Sequence, residues 1–188
     1  MKLPLMQWHI KAMEHAMKKK TVLKTAHYGC MLAFAMLVSY IEALIPFPAG
    51  IPGMKLGLAN AVIVFCIYSF GLKPALSINV CRVVLSGLLF GNMYSLLYSL
   101  AGALVSFACM AILRKCKYLG ITSVSIVGGV MHNVGQLILA VMITGVWVLW
   151  YYLPVLLLIG AITGLMNGLL AGLLHKRMHK IFLYNKNE

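Results

Sequence analysis

Residues 93–117 read MYSLLYSLAGALVSFACMAILRKCK. From Met93 to Leu113 there is no charged residue, and the run then stops on Arg114, Lys115 and Lys117. About 20 apolar residues is the length an α-helix needs to cross the hydrocarbon core of a bilayer, and a basic cluster at one end marks the side retained in the cytoplasm. Further apolar runs occupy about residues 26–45, 55–71, 74–90, 123–145 and 149–173. Six runs predict an all-α membrane protein, a bundle of about six transmembrane helices forming one domain over 26–174. Six spans consume about 120 residues. These 188 residues are therefore expected to leave no space for a soluble catalytic domain as well.

Composition leads to the same class. With 62% hydrophobic residues, 10% charged residues and a mean hydropathy of +0.94, the chain lies outside the range of soluble globular domains. A net charge of +13 would suggest nucleic acid in a soluble protein. Here the basic residues fall between the apolar runs and at the two ends, which is a topogenic pattern, and no nucleic-acid partner is expected. Alternating the loops across the membrane puts Lys2, Lys11, Lys18, Lys19, Lys20, Lys24, Lys73, Arg114, Lys115, Lys117, Lys176, Arg177, Lys180 and Lys186 on one side, with both termini. That side is predicted to be the cytoplasm. Residues 1–25 form a basic amphipathic segment, with Leu3, Met6, Ile10, Met13 and Met17 on one face, expected to lie on the lipid headgroups. Residues 175–188 form a basic cytoplasmic tail. Trp8, His9, Lys11 and Glu14 interrupt any signal-peptide core, so insertion is expected to begin with the first span.

Small residues mark where helices approach. Gly160, Gly164, Gly168 and Gly172 recur every fourth residue, and Gly87 and Gly91 repeat the spacing. These predict close helix packing within the bundle. Ala35, Ser39 and Ala43 make a weaker stripe of the same kind on the first span.

Ionisable groups inside a membrane are expensive, so each one calls for a partner or a purpose. Arg82 falls midway along the third run, too deep to reach either surface, and is expected to face the interior with Asn79 one turn before it. Glu42 and Lys55 flank the segment Pro46–Gly53. Either they pair across it or they serve a ligand at the outer mouth. His132, Asn133 and Gln136 share a polar face on the fifth run, as an interhelical hydrogen-bond cluster or as ligand contacts. Asn60 reads by default as a packing hydrogen bond. With Arg82 and Lys55 against Glu42 the set is net positive, which favours an anionic solute.

There is no Asp, and the acids are Glu14, Glu42 and Glu188. Diphosphate chemistry through magnesium needs clustered carboxylates, so the chain is not a self-sufficient prenyl diphosphate synthase. It also lacks a GxxxxGK[ST] loop, so any ATP coupling must come from partner ATPases. Cys30, Cys66, Cys81, Cys109 and Cys116 form no CxxC pair, and neither a disulfide, a metal site nor a cofactor is expected.

The run Glu42-Ala43-Leu44-Ile45-Pro46-Phe47-Pro48, followed by Ile51-Pro52-Gly53-Met54-Lys55-Leu56-Gly57-Leu58-Ala59-Asn60, resembles a bacterial family called the Gx transporter family, also labelled heptaprenyl diphosphate synthase component I. The resemblance continues through Arg82–Asn92, Ser99–Gly102, Gly129–Gln136 and Tyr152–Leu156, over about residues 28–175. It implies a fold similar to the substrate-binding S components of energy-coupling factor transporters. Those proteins dock through an AxxxA motif on a transmembrane scaffold driven by ATPases, and the Ala35 stripe is only partly like that motif. The resemblance further implies a multi-pass protein of the bacterial cytoplasmic membrane. Its polar positions fall here on Glu42, Lys55, Asn60, Arg82, His132, Asn133 and Gln136. The expected function is a solute-binding or transport subunit for a small anion. The alternative is an accessory membrane component of prenyl diphosphate or quinone metabolism.

Overall fold

The computed structural model describes residues 3–44, 55 and 57–184, with side chains described for 15, 18, 21–44, 55 and 57–178. These residues form α1 (Leu3–Leu44), α2 (Asn60–Phe70), α3 (Leu72–Phe90), α4 (Met93–Leu113), α5 (Ile121–Thr144), a 3₁₀ turn (Trp147–Tyr152) and α6 (Leu153–Tyr184). Five helical stretches are long and apolar enough to cross a membrane: Thr21–Leu44, Leu72–Phe90, Met93–Leu113, Ile121–Thr144 and Trp147–Met178. The protein is an all-α, multi-pass membrane bundle of about six helices. Leu37, Leu88, Met142, Leu158 and Leu173 are each more than half exposed, the outward apolar surface that a lipid solvent requires.

Helix α1 is continuous across residue 25, and α6 continues through the basic residues as far as Tyr184. The apolar face read in residues 1–20 rests on side chains outside the described residues. So does the segment 46–53.

The second run differs from its expectation. Its helix covers only Asn60–Phe70, and 11 residues rise about 16 Å, roughly half of a 30 Å hydrocarbon core. Before it, Gly57 has φ +83, a conformation outside the helical range that glycine adopts without strain. The chain then enters α2 through a tight turn in which the N–H groups of Asn60, Ala61 and Val62 donate to the carbonyls of Gly57, Leu58 and Ala59. Irregular backbone at membrane depth is tolerated only where protein surrounds it. That condition is met: Val62, Ile63, Val64, Phe65, Cys66 and Ile67 are buried on every face of α2. At its other end Gly71, with φ +95, turns the chain sharply into α3.

Helix α5 is the seam of the bundle. A Cβ on Gly129 would stand 2.3 Å from the Gly160 carbonyl oxygen, and one on Gly164 2.7 Å from Ile126 Cα. On the opposite side a Cβ on Gly102 would meet the His132 carbonyl at 2.7 Å. Backbone therefore lies against backbone, which is the gain small residues bring where lipid offers no hydrophobic drive between helices.

Candidate functional site

The interior of the bundle is polar. Ser39, Glu42, Asn60, Asn79, Arg82, Ser99, His132, Asn133, Gln136 and Asn167 are all buried. Each comes from a helix whose remaining faces are apolar, so the polar positions are turned inward together.

Arg82 on α3 is 5% exposed. One terminal nitrogen donates to Ser39 Oγ of α1 at 3.4 Å, and the other to Asn79 Oδ1 at 2.9 Å. The Asn79 amide in turn donates to the Ala103 carbonyl of α4 at 3.4 Å. Arg82 Nε has no hydrogen-bond partner. Its hydrogen-bond partners are thus neutral; the charges of Glu42 and Lys55 act on it through space, but among the described residues neither Arg82 nor Lys55 makes an ion pair with Glu42.

Glu42 has a different occupation. Its Oε1 accepts the backbone N–H of Gly57 in a very short hydrogen bond, and that of Leu58 at 3.4 Å. The carboxylate thus takes the place of the helical carbonyls that the unwound segment lacks. Two other helices hold the same segment. Asn167 of α6 donates to the Gly57 carbonyl at 2.9 Å, and Gln136 Oε1 of α5 accepts the Lys55 N–H at 3.4 Å. Of the two readings open for Glu42 and Lys55, the ion pair across the loop is not formed, and backbone contacts take its place.

His132 and Gln136 contact each other at 2.7 Å through their side-chain Nε2 atoms. A Cβ on Gly57 would lie 3.1 Å from the His132 ring and 3.3 Å from the Asn60 amide, so the unwound segment, α2 and α5 converge there. The Asn60 amide nitrogen is buried without a partner. Asn133 points the other way and donates to the Leu156 carbonyl of α6 at 2.8 Å. It braces two helices, while Glu42, Lys55, Asn60, His132 and Gln136 gather around Gly57, with Asn79 and Arg82 joined through Ser39 and α4.

Sequence reasoning missed Asn167 and treated Ser39 only as a small residue. A lone Asn within the apolar run of α6 is the signal that marks the first. For Ser39 the signal is its place three residues before Glu42.

Gly160, Gly164 and Gly168 lie against α5, the last with a Cβ position 2.7 Å from Thr122 Cα. Gly172 has nothing within 4 Å, and a Cβ on Gly91 would meet Gly87 at the end of α3 and Ser95 at the start of α4. Gly87 meets Leu96 of α4. Ala35 and Ser39 are buried in the bundle and only Ala43 is exposed, so most of the stripe compared with a docking motif faces inward. Among the described residues no group of three His, Cys, Asp or Glu could hold a metal ion.

Fold and interior together define a multi-pass helical membrane protein with a buried, cation-bearing polar centre. The chain belongs to the heptaprenyl diphosphate synthase component I family, whose model matches residues 31–174. No curated protein and no solved structure matches it.

Proposed function

We propose that this protein is a membrane-embedded binding subunit that takes a small anionic solute into its polar centre, in the manner of a transporter's solute-binding component. The observation that carries the reading is Arg82: a buried guanidinium with neutral hydrogen-bond partners and a free Nε, which Glu42 reaches only through space while its Oε1 holds backbone N–H groups. An unpaired cation at that depth costs several kcal/mol, and an anion accepting from Arg82 offsets it. Lys55 adds positive charge at the same segment, while the Asn60 amide supplies a further donor. Any energy coupling is then supplied by partner proteins.

Family membership supports a second reading, a membrane partner of a prenyl diphosphate synthase whose catalytic carboxylates lie on another subunit. A diphosphate is itself an anion, so the readings differ in the ligand's tail. Mass spectrometry of small molecules that co-purify with the detergent-extracted protein tests both. An anion present with the wild type and absent from Arg82→Gln is expected. Its persistence in a folded Arg82→Gln variant overturns the Arg82 site, and an isoprenoid tail on it selects the second reading.

A further inference from the structure

A cavity that shares no lining residue with the Arg82 centre lies at the end of the bundle that carries the basic residues. It measures about 670 Å³ and is a half-open cleft bordered by α1, α2 and α6. That size is within the 300–1,000 Å³ usual for small-ligand sites. Its lining divides by chemistry. Lys24, His27, Ser69 and His175 supply polar and cationic groups, whereas Phe65 and Phe70 supply an aromatic floor. The floor is built: Tyr28 and Phe65 each meet Phe70 edge-on, with ring centroids 5.3 and 6.1 Å apart. Tyr68, also in the wall, carries Arg114 over its ring at 5.5 Å, a second cation beside the cavity.

No carboxylate answers this charge among the described side chains. On α1, Glu42 is 18 residues beyond Lys24, about 27 Å along a helix, and Glu14 is ten residues before it, about 15 Å. The cavity therefore pairs a cationic rim without acids with an apolar, aromatic interior, next to helices whose outer faces meet lipid. Basic pockets between spanning helices recognise lipid phosphate headgroups in this way. We propose that this cavity binds an acidic membrane lipid, its phosphate against Lys24 and the Arg114 side and part of its chain over Phe65 and Phe70. The site is separate from the Arg82 centre and does not rest on the function proposed for it.

Native mass spectrometry of the full chain in neutral detergent tests this, with titration by dioleoyl phosphatidic acid, by phosphatidylcholine with the same tails, and by inorganic phosphate. Phosphatidic acid is expected to give one saturable adduct, with phosphatidylcholine at least about tenfold weaker and phosphate unable to displace it, since the acidic headgroup meets the basic rim and free phosphate has no chain for the aromatic floor. Lys24→Gln with Arg114→Gln should weaken that adduct about tenfold, while Arg82→Gln leaves it unchanged. Equal affinity of the two lipids for the wild type overturns the proposal without any variant. So does displacement by inorganic phosphate, which would make the cavity a free-anion site. Undiminished binding in a double variant that melts like the wild type overturns it too.

Discussion

At Glu42 a single carboxylate replaces the helical hydrogen bonds that Gly57 and Leu58 lack. Glu42→Ala leaves both donors without this acceptor in a largely buried setting, at about 1–3 kcal/mol for a stranded buried group. A clearly lower melting temperature in detergent is expected, with Glu42→Gln closer to wild type because an amide oxygen still accepts. Gly57→Ala should also destabilise, since φ +83 is strained for any residue with a Cβ and the left-handed region costs about 1–2 kcal/mol. The contact with the His132 ring at 3.1 Å adds to that. Part of this was legible in the residues. The spacing of Asn79 and Arg82, and of His132 and Gln136, placed each pair on one helix face, and both pairs are in contact. The role of Glu42 was not legible, because a carboxylate's partner can be a distant backbone N–H as readily as a cation. Nothing in residue type separates the two.

Among the helices, apolar length was a reliable guide wherever a run is a single regular element. The runs 74–90, 93–113 and 123–145 agree with α3, α4 and α5 to within two residues at each end. It failed at 55–71, where hydrophobicity is continuous but Gly57 and three side chains from α1, α5 and α6 hold the first part out of helix. Hydropathy registers burial, and a buried irregular strand of chain is as apolar as a buried helix. The glycine spacing on α6 was equally visible, but not which members have neighbours. Gly164→Leu is expected to lower the melting temperature and expression strongly, because its Cβ position lies 2.7 Å from α5 backbone. Gly172→Leu, with nothing within 4 Å, should melt like the wild type. Equal effects of the two substitutions, read by thermal unfolding in detergent, would contradict the packing described.

Among the described residues, basic segments gather at one end and a cluster of exposed aromatics at the other, with Tyr118 the exception beside Lys117. The Tyr28–Phe70, Arg114–Tyr68 and Tyr68–His175 contacts bring α1, α2, α4 and α6 together at the basic end. Trp147, Trp150, Tyr151 and Tyr152 are exposed in the 3₁₀ turn between α5 and α6, in the manner of an interfacial belt. If the basic end is cytoplasmic, a cysteine at position 148 should label from outside intact cells, and Lys115→Cys should label only after the membrane is opened. External labelling at 115 would reverse the orientation. The balance of charge inside the bundle bears on function more directly. Glu42 and Arg82 are buried, yet they do not meet, and the reading proposed here closes the charge of Arg82 with a bound anion. The most direct test is ligand retention across wild type, Glu42→Gln, Arg82→Gln and the double variant, with melting recorded for each. The account predicts that the anion is lost from both proteins lacking Arg82 and that adding Glu42→Gln restores nothing. Full recovery of retention and stability in the double variant would mean that the two residues only neutralise each other, and would contradict it.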